Sequence, residues 1–152
     1  MQPSHKIALA GAVWFSIVSV VGLPIIMSIL SFIFKFRPDV FFFVKFSGLF
    51  FGLPAAFVGM VFANRIVYAD SLMGLIRLGV FIVIGTNLLA ALLFAIVAPQ
   101  VVGIQEIIQF FLMVAAGYLI FDIQFFYGIP FVISAIASVL FCLAIQRTTW
   151  AD

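Results

Sequence analysis

The chain has 152 residues, of which 67% are hydrophobic and only 8% are charged. A soluble domain has about 25% charged residues, and one of this size could not bury so much apolar surface. These proportions exclude an ordinary soluble fold and predict a protein whose solvent is lipid. The net charge of +2 is small and its Lys and Arg residues are scattered, so we expect no nucleic-acid partner.

Charged residues divide the chain into apolar segments, and a helix needs about 20 residues to cross a bilayer. The first segment is 7–34, which is too long for the core of a cleaved signal peptide, so we expect an uncleaved first span. The second span is predicted at 40–63, with Lys45 near its start. The third is predicted at 78–98, directly after Arg77.

The last third of the chain leaves two arrangements open. Residues 107–121 and 125–145 are apolar, with Asp122 between them. One helix over both would be about 58 Å long, whereas the hydrocarbon core is about 30 Å thick. Either a hairpin turns near Asp122, giving five spans, or 107–121 is a re-entrant or interfacial segment, giving four. The hairpin is the arrangement that we favour.

The predicted fold class is therefore all-α, a polytopic integral membrane bundle of four to five transmembrane helices in a single domain, 1–152. Strands of membrane barrels alternate apolar and polar residues, and runs such as 88–98 do not alternate. Backbone groups in lipid must then be satisfied within helices. A loop-poor chain of this kind suits a bacterial inner membrane.

The residues that most enzymes and cofactors need are missing from the predicted spans. The single histidine, His5, precedes the first span, which excludes a bis-histidine haem and a buried histidine dyad. The single cysteine, Cys142, excludes a two-cysteine redox couple. The sequence shows neither a zinc-ligand cluster nor a nucleotide-binding fingerprint. We expect no enzymatic activity, no cofactor and no metal.

Polar residues inside the predicted spans or between the last two apolar segments are the candidates for function, because an ionisable or amide group is costly in lipid. The candidate polar or transport positions are Lys45, Thr86, Asn87 and Asp122. Lys45 is also placed to extend its ammonium group to the interface. Asn87 needs a hydrogen-bond partner, either in a neighbouring helix or along a solute path.

Small residues at helical spacing predict a packing face in the second span, formed by Gly48, Gly52, Ala56 and Gly59. A face of this kind lets another backbone approach closely, either inside the chain or in a homo-oligomer. A second stripe follows Ser134, Ser138 and Cys142. In addition, a Gly-Leu-Pro sequence occurs in both of the first two spans, at 22–24 and 52–54, and each proline predicts a helix kink.

Taken together, these patterns favour a non-enzymatic protein that acts by packing its spans against another membrane protein or a second copy of itself. Accessory subunits and immunity or exclusion proteins work in this way. The alternative is a small transporter or channel subunit for an ion or small solute, based on the polar positions and on the repeated Gly-Leu-Pro breaks, since interrupted helices can mark transport sites.

Overall fold

The computed structural model describes residues 3–34, 38–97, 103–124 and 128–149. Within these ranges, only the backbone is described at 3, 23, 27, 30, 31, 34, 38–50, 121, 124 and 149. Every regular element in the described residues is helical: α1 (Pro3–Ile17), a π-helical turn (Val18–Gly22), α2 (Leu23–Phe34), α3 (Pro38–Val67), α4 (Leu72–Val97), α5 (Ile104–Gln124) and α6 (Ile129–Thr149).

The all-α class is confirmed for the described residues. Three helical stretches are long and apolar enough to cross a membrane: Ser4–Ile26, Leu72–Val97 and Ile129–Thr148. Two shorter apolar helices, Phe51–Val67 and Ile104–Ile120, accompany them. A membrane bundle fits this composition. Of the predicted spans, positions 98 and 125–127 lie outside the described residues.

The first helical stretch contains the π turn Val18–Gly22 between α1 and α2. Pro24 lies two residues after the end of this turn, and because it has no N–H it leaves the Val20 carbonyl without its usual donor. A wider turn at this point accommodates the missing bond. Pro54, by contrast, lies inside α3, which continues through it. The two Gly-Leu-Pro sequences therefore have different backbone outcomes.

Helices α1 and α3 pack antiparallel through the predicted small-residue face. A Cβ built on Gly59 would lie 2.8 Å from the Gly11 carbonyl oxygen and 2.8 Å from the ring of Phe15. Further along, a Cβ on Gly52 would lie 2.6 Å from the Val20 side chain in the π turn. The glycines therefore serve contacts inside the chain, and Ala56 beside them is half-buried.

Gly48 and Lys45 lie in the part of α3 where only the backbone is described, so the structure places them on the helix and no further.

Helix α4 begins at Leu72, six residues before the predicted start of the third span at 78. The reason is an N-cap, because the Ser71 hydroxyl accepts a hydrogen bond from the Gly74 amide at 3.1 Å. Arg77 is consequently an exposed residue within the second turn of the helix and not the residue that precedes it.

Both α5 and α6 pack against α4, each along a different part of it. Phe94, near the end of α4, stacks on Phe110 near the start of α5. Asn87, in the middle of α4, meets Asp122 near the end of α5. Gly79, near the start of α4, meets Ala135 in α6. The chain therefore runs past α4 in one continuing direction, first as α5 and then as α6.

The far part of α6 returns to the end of the bundle where the N-terminus lies. The Cys142 thiol lies 4.0 Å from the Val67 carbonyl oxygen at the end of α3. The same end of α3 is tied to the start of α1, because the Asn64 amide donates to the Ser4 carbonyl at 3.4 Å. Helices α5 and α6 thus contact different parts of α4, one after the other.

One apolar core joins four of these helices. Its buried members in the described residues come from α1, α3, α4 and α6: Ile7, Phe15, Val58, Ala63, Ile66, Leu75, Ile82, Ala137, Phe141 and Cys142. Trp14 packs against this core and donates its indole N–H to the Ala137 carbonyl at 3.1 Å. None of these core residues belongs to α5.

We predict that Gly79→Ala lowers the thermal unfolding temperature of the detergent-solubilised protein. The added methyl group would lie 2.6 Å from the Ala135 Cα and 2.8 Å from the Ser134 carbonyl oxygen, and overpacking costs about 1–3 kcal/mol. This cost exceeds the gain of about 1 kcal/mol in helix propensity.

The matched control is Gly117→Ala in α5, where an added Cβ meets nothing within 4 Å. This variant should unfold at the same or a higher temperature. Equal destabilisation of both variants would contradict the close α4–α6 approach.

Candidate functional site

A cavity of about 430 Å³ lies between the helices and is partly open at its edge. Its volume is within the range of small-molecule sites, about 300–1,000 Å³. Every helix of the bundle except α2 contributes to its lining, and so does the π turn: Phe15, Val18, Ser19, Phe51, Ala55, Ile82, Val83, Thr86, Asn87, Phe94, Val114, Gly117, Tyr118, Asp122, Pro130, Ile133 and Ser134.

The cavity lies at the junction between α5 and α6. Asp122 belongs to the last turn of α5, and Pro130 belongs to the first turn of α6. Gly128 between them has a φ of +72°, the left-handed conformation that favours glycine. Its amide donates to the Asp122 carbonyl at 3.0 Å. This hydrogen bond closes the end of α5 and positions Asp122 at the cavity.

The main polar contact of the site joins α4 to α5. The Asn87 side-chain amide donates to the Asp122 carboxylate Oδ2 at 2.6 Å. Asn87 is 6% exposed and Thr86 beside it is 8% exposed, while Asp122 is half-buried. A hydrogen bond to a charged acceptor is among the stronger ones in proteins. It holds the end of α5 against the middle of α4.

Ser134 supplies a second polar group in the wall, from α6. The residue is 6% exposed, and its Oγ atom has no hydrogen-bond partner among the described residues. Its backbone carbonyl is occupied, since the Ser138 hydroxyl donates to it at 2.9 Å. A buried hydroxyl without a partner costs about 1–3 kcal/mol. The Ser134 hydroxyl is therefore available to a molecule in the cavity.

Aromatic rings form much of the remaining wall. Phe51 from α3 and Tyr118 from α5 meet edge to face, with ring centroids 5.0 Å apart. Phe94 stacks on Phe110 with centroids 5.9 Å apart, and Phe15 closes the side of α1. The site thus combines an apolar, aromatic wall with a small number of polar groups, which is the usual composition of a ligand site.

The electrostatic character of the site is set by one carboxyl group. Asp122 is the only acidic side chain among the described residues that line the cavity, and none of those residues is Lys, Arg or His. Within the described ranges, no group of three or more His, Cys, Asp or Glu side chains is placed to hold a metal ion.

Three of the four candidate polar positions meet here. Thr86, Asn87 and Asp122 all line the cavity, whereas the Lys45 side chain lies outside the described residues. Sequence reasoning did not identify Ser19 or the role of Ser134. The Gly-Leu-Pro sequence that follows Ser19 is the signal from which Ser19 could have been predicted. Ser134 was interpreted as part of a small-residue packing stripe, so its place at a cavity was not predicted.

Comparisons of the chain with protein-family models, with curated proteins and with solved structures give no match.

We predict that Asn87→Asp destabilises the protein by about 1–3 kcal/mol, because it removes the donor and places two carboxyl groups in contact. The exchanged pair, Asn87→Asp with Asp122→Asn, restores one amide and one carboxylate. The double variant should recover most of the lost thermal stability.

Unfolding followed by circular dichroism in detergent measures both variants. If the double variant unfolds at the temperature of Asn87→Asp or below it, the direct contact between the two side chains is wrong.

Proposed function

We propose that this protein is a small transporter or channel subunit whose solute or ion binds in the cavity at the α5–α6 junction. The observation that carries the proposal is the Asn87–Asp122 pair, which lies in the middle of α4 and at the end of α5. Ionisable residues at such a depth are costly and mark substrate or ion pathways.

The interrupted course of α5 and α6 supports the same function. A helix end at membrane depth leaves backbone carbonyls that lipid cannot satisfy, and it is tolerated where it faces protein or a water-filled cavity. Discontinuous helices of this kind form the solute sites of many transporters. Here the end of α5 and the start of α6 both face the cavity.

We propose four crossings, in which α6 makes the last one and α5 is a re-entrant segment. Helix α6 is long enough to cross alone, whereas α5 and α6 in line exceed the thickness of the hydrocarbon core. The contact between Cys142 and Val67 and the hydrogen bond between Asn64 and Ser4 support this topology, since they bring the end of α6 towards the start of α1. Both termini then lie on the same side of the membrane. A bacterial inner membrane stays a prediction from the loop-poor sequence.

The interaction with another membrane protein that the sequence favours also stays a prediction, as does the absence of enzymatic activity. Several of the described residues that suggested such a partner make their contacts within the chain. Gly52 and Gly59 pack on α1 and the π turn, and Ser138 is fully buried. The cavity, which the described residues leave unfilled, gives the transporter alternative the stronger support.

Reporter fusions test the topology. One reporter that is active only in the cytoplasm and one that is active only outside it are fused after Asp152, and a matching pair is fused at the N-terminus. We expect both termini to report the same side. Opposite sides would mean five crossings and would exclude a re-entrant α5.

Cysteine accessibility tests the cavity as a solute path. In a Cys142→Ala background, we expect Thr86→Cys and Ser134→Cys to react with a membrane-impermeant thiol reagent in intact membranes, because a solute path contains water. Leu88→Cys is the matched control, since Leu88 is 39% exposed on the outside of α4 one residue from Asn87, where lipid excludes the reagent.

Tyr68→Cys, in the exposed connection before α4, provides the labelling standard. If the two cavity cysteines are as unreactive as Leu88→Cys from both sides of the membrane, the cavity is dry and the proposed function is wrong.

A further inference from the structure

We propose that the cavity binds an organic monocation, a molecule with a substituted ammonium group and an apolar or aromatic body, with the ammonium group at Asp122. This inference rests on the proposed function and specifies its substrate class. The Asp122 carboxylate, the aromatic wall and the unpartnered Ser134 hydroxyl together indicate this ligand chemistry.

Among the described residues, the charge of the site is unbalanced. Asp122 receives a hydrogen bond from Asn87, which is a neutral donor. None of the described residues that line the cavity carries a positive charge. A half-buried carboxylate beside apolar walls is stabilised by a cationic partner. A cationic ligand supplies the missing positive charge, whereas the Asp122 carboxylate would repel an anionic ligand.

The wall of the cavity selects an organic body over a bare inorganic ion. Phe15, Phe51, Phe94 and Tyr118 give the site aromatic faces, and the other lining residues are mostly aliphatic. Aromatic faces attract ammonium groups with a further 0.5–2 kcal/mol, roughly. Divalent cations of the Ca²⁺ and Mg²⁺ type need about six oxygen ligands, and the described residues offer no such cluster.

Ser134 provides the independent sign of a ligand. Its hydroxyl is buried in the cavity wall without a partner among the described residues, and it comes from α6 while Asp122 comes from α5. A ligand headgroup between Asp122 and Ser134 would contact both α5 and α6. A molecule bound there links the two sides of the junction.

The test uses benzyltrimethylammonium as the probe, because its charge does not depend on pH. Isothermal titration calorimetry on the full chain in lipid nanodiscs measures its binding. We expect saturable binding, and binding at least tenfold weaker to Asp122→Asn. Asp70→Asn is the matched control, since it removes a carboxylate from the exposed connection between α3 and α4 and should leave the affinity unchanged.

Two further ligands separate charge from shape. Neopentylbenzene has the same shape without the charge, and phenylmethanesulfonate has the opposite charge. We expect neither to bind saturably. Binding of neopentylbenzene as tight as that of the cation would overturn the inference, and so would an Asp122→Asn variant with unchanged affinity. Saturable, Asp122-dependent binding of Na⁺ without binding of the organic cation would also overturn it.

If Asp122→Asn does not fold, the exchanged pair Asn87→Asp with Asp122→Asn answers the same question, because it keeps one carboxylate at the site. It should bind the cation within about tenfold of the original affinity, and complete loss of binding by a folded pair would count against the inference. If the cavity cysteines react with the impermeant reagent but no cation binds, the ligand class is wrong and the proposed function remains.

Discussion

The backbone of a chain in lipid has no water to complete its hydrogen bonds, so every helix end below the membrane surface must be enclosed by protein. The junction between α5 and α6 is such an end in the four-crossing topology that we propose. The Gly128 amide closes the Asp122 carbonyl, the Asn87 amide binds the Asp122 carboxylate, and α4 passes alongside. The helices around this junction cover it without filling the space between them, and the cavity lies in that space.

Helix α4 makes this enclosure possible through its small residues. Gly79, Ala90, Ala91 and Ala95 are buried, and they let neighbouring helices approach closely. The larger polar pair Thr86 and Asn87 sits between these positions and is also buried. Helix α4 therefore packs against α6 through small residues such as Gly79 and lines the cavity with Thr86 and Asn87.

The sequence was sufficient for the helical class and for the polar centre, because Asn87 and Asp122 stand out in apolar surroundings. Their direct contact was not predictable, since 35 residues separate them and nothing in either segment specifies the partner. The polar interruption after residue 121 is equally compatible with a hairpin and with two helices in line, because both need a break there. Ser71 is a residue type that favours an N-cap, so the start of α4 could have been predicted from it. The predicted start at residue 78 was instead based on the charge of Arg77.

The apolar core joins α1, α3, α4 and α6 and, in the described part of the chain, takes no residue from α5. Helix α5 packs on α4 through the Phe94–Phe110 stack and the Asn87–Asp122 bond, and its Ala115 is buried as well. The carboxylate of the site is thus carried by a helix that lies outside this shared core. Its position depends on the contacts of α5 with α4 more than on the packing of α1, α3 and α6 against one another.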